Sequence, residues 1–153
     1  MGVFSHVEVE ARNEIKLEKY STVIDIEARV LADIARNHII PAALNYQNRL
    51  IENVRGLKDI FGDEGYKPLA KEQLNLITQI SEKISIIKVG VDNLLAAKDK
   101  AKTATNSQKQ AEEYCNKVRP LFDPIRDASD ALEMMVDDEL WPMTKYRELL
   151  FTR

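Results

Sequence analysis

The sequence predicts an all-α fold, a bundle of long antiparallel helices with a projecting, proline-kinked N-terminal helix. Three observations predict it. Apolar residues recur at alternating steps of three and four, which lays them along one side of a helix, whereas a strand would need alternation by two. Only 5 glycines and 5 prolines interrupt 153 residues, and they cluster, so the stretches between them read as helix formers. Between two apolar seams, Lys98 to Gln110 holds no apolar residue larger than alanine, as an exposed hairpin tip requires.

The first helix is expected over residues 5–61. Ser5 and Glu8 have capping-box spacing, in which hydroxyl and carboxylate each satisfy a free backbone donor. Leu17, Tyr20, Ile24, Ala28, Leu31, Ala35 and His38 form one seam. Pro41 lacks an amide proton and crowds the preceding turn, so a kink is expected near 37–41. Ala43, Gln47, Leu50, Val54, Leu57 and Phe61 then form a second seam, which ends in the turn chemistry of Gly62, Gly65 and Pro68.

The second helix is expected over 69–102, with Ile77, Ile80, Ile84, Ile87, Val91 and Leu94 in heptad register. Its β-branched residues each sacrifice a few tenths of a kcal/mol of helix propensity, roughly, against about 1.5 to 3 kcal/mol from burial, so packing wins. The chain reverses near Thr103 to Ser107. A returning helix over 107–140 carries Ala111, Tyr114, Val118, Leu121, Ile125, Ala128, Leu132 and Met135. Pro120 and Pro124 leave two readings open: one bent helix, or a new helix capped by Asp123 with Pro124 at its first position. Trp141-Pro142 ends it, and a short amphipathic helix over 144–151 carries Tyr146, Leu149, Leu150 and Phe151.

The core expected from these seams is Leu50, Val54, Leu57, Ile77, Ile84, Ile87, Val91, Val118, Leu121, Ile125 and Leu132, within one helical domain, 1–153. Helix lengths add a further expectation. At 1.5 Å per residue a straight 5–61 helix would span roughly 85 Å and 69–101 only about 50 Å, so one arm should project. Its apolar stripe, with the tail, supplies a candidate interface: Val23, Ile24, Val30, Leu31, Ile34, Trp141, Leu149 and Phe151.

Composition narrows the partners. With 22 Lys and Arg against 25 Asp and Glu, the chain has no field to hold a nucleic acid or an anionic membrane surface. Charged residues interrupt every candidate membrane span. A single cysteine, Cys115, and the absence of a signal-peptide pattern in Met1 to Glu10 lead us to expect a cytoplasmic protein.

No motif supplies chemistry: there is no Gly-x-Gly-x-x-Gly, Walker loop, Gly-x-Ser-x-Gly or zinc-type cysteine pair. Asp123, Asp127 and Asp130 share a helix side, but a di-iron bundle also needs inward glutamates and Glu-x-x-His pairs. Neither His6 nor His38 has a glutamate three residues earlier. These aspartates, and the run Asp137-Asp138-Glu139, read as solvated faces. His38 reads as a structural residue of the seam, bonding a carbonyl released at the kink. Glu112 and Glu113 would not lower the Cys115 thiol. Lys98, Lys100, Lys102 and Lys109 read as a hydrated tip, with no interleaved aromatic to stack on bases. Glu8 with Arg12, Asp25 with Arg29 and Glu113 with Lys117 can pair across one helical turn. No catalytic, cofactor-binding or metal-ligating residue is therefore expected in this chain.

Longer strings carry a resemblance. Ile26-Glu27-Ala28-Arg29-Val30-Leu31, Asn37-His38-Ile39-Ile40-Pro41-Ala42-Ala43, Tyr46-Gln47-Asn48, Leu50-Ile51-Glu52-Asn53-Val54-Arg55-Gly56-Leu57, Arg119-Pro120-Leu121-Phe122 and the stretch from Leu140-Trp141-Pro142-Met143-Thr144-Lys145 to Phe151 resemble the C-terminal helical domain of glutamine synthetase type III. The resemblance runs through nearly the whole chain. It implies a parent enzyme, a ligase of nitrogen metabolism that joins glutamate and ammonia with ATP and a divalent metal, Mg or Mn, within a cytoplasmic homo-oligomer. It also implies partners, namely the parent catalytic domain and neighbouring subunits. The family's catalytic residues match nothing here, so a structural or assembly role is expected. A free-standing helical interaction module, docking through the Lys98 to Gln110 tip or the apolar tail, is the alternative, and a di-metal bundle enzyme stands third.

Overall fold

A computed structural model describes residues 6–150 and is all-α, with no strand among the described residues. The elements are α1 (His6–Ile34), a π turn (Ala35–Ile39), α2 (Ile40–Leu69), α3 (Lys71–Lys102), α4 (Ser107–Glu113), a second π turn (Tyr114–Val118), a 3-10 turn (Arg119–Leu121), α5 (Phe122–Met135) and α6 (Tyr146–Leu149). The Ser5 cap and Phe151 lie outside the described residues.

Each π turn ends two residues before a proline, at Ile39 before Pro41 and at Val118 before Pro120. An α-helical proline presses its ring on the carbonyl one turn earlier and leaves that carbonyl without a donor. A π turn widens the backbone there. The Ile40 amide donates to the Ala35 carbonyl, and the Arg119 amide to the Tyr114 carbonyl, in the π pattern. At the expected kink the residues flanking the turn, Ile34 and Ile40, keep α-helical dihedrals. The wider turn also moves the seam by one residue. Ile39 is buried where a regular helix would bury His38, which is exposed. The structural seam role expected of His38 is thereby corrected.

The segment expected to be a loop from Gly62 to Pro68 is helical except at Gly62, whose φ of 72° and ψ of 178° interrupt α2. A side chain there would be strained, and glycine carries no Cβ to strain. Phe61, beside this break, is exposed rather than part of the seam. The returning segment leaves the helix after Met135 rather than at Leu140. Asp137 accepts from the Glu139 amide at 3.0 Å and nucleates a turn, and the Lys145 ammonium donates to the carbonyls of Glu133 at 2.8 Å and Val136 at 3.1 Å. A tail lysine thus satisfies helix-terminal carbonyls that lack helical partners.

The chain divides into two compact units. The first comprises residues 1–33 and 90–123. Its core is Ile24, Ala28, Ala32, Val91, Leu94, Ala101, Ala111, Tyr114 and Val118. The alanines shorten the distance at which helix ridges enter neighbouring grooves. At the hairpin tip, Asn106 caps α4 by accepting from the Lys109 amide at 2.8 Å. Ser107 Oγ donates to Glu14 of α1 at 3.3 Å.

The second unit comprises residues 34–89 and 124–153. Ile39, Ala43, Ile80, Ile87, Ile125, Leu132 and Val136 are buried in it. Gln47 donates from Nε2 to the Ile77 carbonyl at 2.9 Å and to Ser81 Oγ at 2.7 Å, tying α2 to α3 through a buried amide. Trp141 is buried, and its indole nitrogen has no hydrogen-bonding partner among the described residues. Of the expected core, Ile87, Val91, Val118, Ile125 and Leu132 are fully buried, while Leu50, Val54, Leu57, Ile77, Ile84 and Leu121 are half-buried.

Candidate functional site

The densest arrangement of polar groups lies in the first unit, around the carboxylate of Asp25. A helix seam that was wholly apolar would place leucine or alanine there; instead α1 turns Asp25 inward beside Ile24 and Ala28, and its residue exposure is only 7%. Arg29, one turn on, reaches Oδ2 with Nη2 at 3.0 Å. From α3, Lys102 Nζ approaches Oδ1 at 3.3 Å and Lys98 Nζ stands 3.9 Å from it. From the second π turn, the Tyr114 hydroxyl donates to the same oxygen at 3.2 Å. Lys98 is itself buried, with Asp99 Oδ1 at 2.8 Å as its nearer partner.

Electrostatics holds Asp25 and Tyr114 each in one protonation state. Burial pushes the Asp25 carboxyl up, but Lys102, the Tyr114 hydroxyl and Arg29 together outweigh it and hold the carboxyl below its usual value. Burial, followed by the charge and hydrogen bond of Asp25, pushes Tyr114 up to about 12. Asp25 stays ionised and Tyr114 stays a hydroxyl near neutral pH, so neither serves as a proton shuttle. A cavity of about 110 Å³ adjoins them, lined by Ser21, Thr22, Asp25, Lys102, Gln110 and Tyr114. The Ser21 hydroxyl donates to the Leu17 carbonyl at 3.0 Å. The arrangement is a polar fastening of α1 to α3 and to the segment after α4.

One reading of the sequence changes here, and a second gains partners. Lys98, taken as part of a hydrated tip, is buried in an ion cluster because α3 continues far enough to face Asp25. Asp138 and Glu139 are exposed, as a solvated face requires, while Asp137 is half-buried; Asp137 also pairs with Arg49 at 3.5 Å, and Asp138 with Lys145. Asp123, Asp127 and Asp130 are exposed. Asp25 with Arg29 was legible as a pair at helical spacing. Its Lys98, Lys102 and Tyr114 partners were not, since nothing along the chain sets Asp25 apart from a solvated pair at helical spacing.

A second hollow, a groove of about 480 Å³, runs along α1 and α4 and includes Leu17, Tyr20, Ala111 and Cys115 among its lining. Cys115 is exposed. Burial and the neighbouring Cys115 thiol push the Tyr20 hydroxyl up, with Arg119 acting against them. No histidine lines the groove to act as a base.

The candidate interface residues separate. Val23 and Val30 are exposed, Leu31 and Ile34 half-buried, and Ile24 buried against its own unit. Leu149 is exposed and Trp141 buried. Among the described residues, no three His, Cys, Asp or Glu side chains are grouped to hold an ion, and the one buried carboxylate, Asp25, already faces three cations. No helix of the described residues is long and apolar enough to cross a membrane.

Comparison with known proteins gives consistent similarities. Residues 1–58 match the family model of the glutamine synthetase C-terminal domain. The chain is 46% identical over 151 residues to a glutamine synthetase of Bacteroides fragilis (strain YCH46), covering 99% of this chain and 21% of that protein. It is 29% identical over 152 residues to the type-3 glutamine synthetase of Dictyostelium discoideum, and 22% identical over 151 residues to a glutamine synthetase of Butyrivibrio fibrisolvens, with the same coverage of 99% and 21% in each case. The chain therefore spans about one fifth of the length of these curated relatives.

Proposed function

We propose that the chain is the non-catalytic helical domain of a glutamine synthetase of type III, a reading supported by its similarity to the glutamine synthetase C-terminal domain over residues 1–58 and to the Bacteroides and Dictyostelium enzymes over nearly its whole length. The whole enzyme, in this reading, ligates glutamate and ammonia with ATP in the cytoplasm, and its ATP and divalent metal are held outside these residues. The domain's work is structural. It supports the parent catalytic domain and neighbouring subunits of a homo-oligomer.

The observation that carries this reading is the Asp25 cluster. The most elaborate polar site of the described residues spends its carboxylate, ammonium groups and hydroxyl on joining helices, and Asp25 and Tyr114 do not change protonation near neutrality. Such a cluster specifies a scaffold.

Two measurements test the proposal. The purified chain, given glutamate, ammonia, ATP and Mg or Mn, is expected to form no glutamine; formation that survives removal of contaminating synthetase overturns the non-catalytic assignment. The Bacteroides relative without its matching segment is expected to lose particle size, activity or both. A truncated enzyme with unchanged size and unchanged activity overturns the structural role.

A further inference from the structure

Helix α1 is apolar on two sides. One side carries Ile24, Ala28 and Ala32 into the core of the first unit. On another, Val23, Ile26 and Val30 stand 42%, 47% and 51% exposed. They follow the same alternation of three and four, so they form a short stripe of their own. Extending it by one step in each direction reaches Lys19 toward the helix start and Asp33 toward its end, both exposed.

The pattern has a centre. Valines flank Ile26 on both sides, and beyond them stand opposite charges. A two-fold contact brings the same patch of two copies together, each residue meeting its counterpart across the axis. With the helices antiparallel and the axis beside Ile26, Val23 meets Val30 of the second copy and Lys19 meets Asp33, each pair occurring twice. A parallel arrangement would set Lys19 against Lys19 and Asp33 against Asp33, like charge on like. Asp33 is already engaged within its own chain, and an exposed carboxylate has oxygens enough to accept a second donor.

We propose that the Val23-Ile26-Val30 face of α1 is a self-pairing surface, occupied by the same face of a second copy of this chain in antiparallel orientation. The inference stands on this helix face alone and holds or fails separately from the assignment to a synthetase. It differs from the interface expected from the sequence in taking Ile26, which is exposed, and leaving out Ile24, which is buried. Its small area places it with weak, transient contacts.

The experiment uses the 153-residue chain carrying Cys115→Ser, so that its exposed native thiol is silent. Sedimentation equilibrium is expected to show a reversible dimer below about 1 mM, the weak end of specific association. Under mild oxidation Ile26→Cys is expected to cross-link to itself, because it lies at the axis, while Ile15→Cys, exposed but off the axis, is not. Lys19→Glu or Asp33→Lys, each placing two like-charge pairs across the contact, is expected to weaken dimerisation about tenfold. The double variant Lys19→Glu/Asp33→Lys, which swaps the charges, is expected to return to within about threefold of the parent. Circular dichroism verifies that each variant keeps its helicity, and if a charge variant does not, the cysteine pair decides. A chain monomeric at about 1 mM overturns the proposal and leaves the face to a different occupant. Equal cross-linking at Ile15 and Ile26, or a folded double variant as weak as the singles, overturns it equally.

Discussion

Replacing Asp25 with alanine is the sharpest test of the fastening in the first unit. The carboxylate has four partners, and they do not lose equally. Arg29 and Lys102 have side chains 58% and 51% exposed, so they return to water and their loss costs about 0 to 1 kcal/mol together. Lys98, with only 10% of its side chain exposed, keeps Asp99 at 2.8 Å. Tyr114 has no such recourse: the residue is 1% exposed, and a buried donor left unpaired costs about 1 to 3 kcal/mol. Asp25→Ala is therefore expected to destabilise by about 1 to 4 kcal/mol at pH 7. Tyr114→Phe removes the donor and leaves the carboxylate its cations, so about 1 to 2 kcal/mol is expected. In the double variant no hydroxyl is stranded, and the combined loss should fall short of the sum by about 1 kcal/mol or more. Urea titrations followed by circular dichroism provide all four corners of the cycle. An Asp25→Ala loss below about 1 kcal/mol, or additivity within about 0.5 kcal/mol, would refute the reasoning.

The same cluster sets a pH dependence at both ends. Because the Asp25 carboxyl is held below its unfolded value of 3.8, its contribution is complete above that value and is lost as pH falls through the folded one; the gap between the native chain and Asp25→Asn should narrow below about pH 4. Tyr114 is raised from 10.0 to about 12, so its contribution is present below pH 10 and disappears as pH climbs toward 12, which ultraviolet titration of tyrosinate against stability will detect. In the second unit, Lys145→Met should cost about 1 to 2 kcal/mol in thermal denaturation, since it strips donors from the carbonyls of Glu133 and Val136 while keeping most of the stem; no change in melting temperature would mean that water replaces the ammonium without loss. Trp141→Phe should cost less than about 1.5 kcal/mol, because it also removes a buried unpaired nitrogen, whereas Trp141→Ala should cost about 3 to 5 kcal/mol. Equal losses for the two, measured by urea titration, would show that the nitrogen is paired.

The helical class, the hairpin tip and much of the buried set were legible because they depend on periodicity. Ile87, Val91, Val118, Ile125 and Leu132 lie where heptad spacing put them, and Asn106 caps α4 within the stretch assigned to the reversal. Errors of register arose at prolines. The sequence announced an interruption at Pro41, but whether the backbone answers with a kink or a π turn depends on which residue must next face the core, and that choice exchanged His38 for Ile39.

What the sequence by itself determined is the alternation of three and four, the scarcity of breakers and the strings shared with glutamine synthetases, each a property of neighbours along the chain. What only the tertiary structure decided is where charged residues go. Asp25 and Tyr114 are 89 residues apart and bond directly. Lys98 and Lys102 stand among lysines that composition cannot tell from solvated ones, and Lys145 ends α5 from outside it. A helical period states which side a residue occupies; what stands opposite is set by how helices pack. For a charge, that neighbour determines whether it remains in water or is buried with a partner.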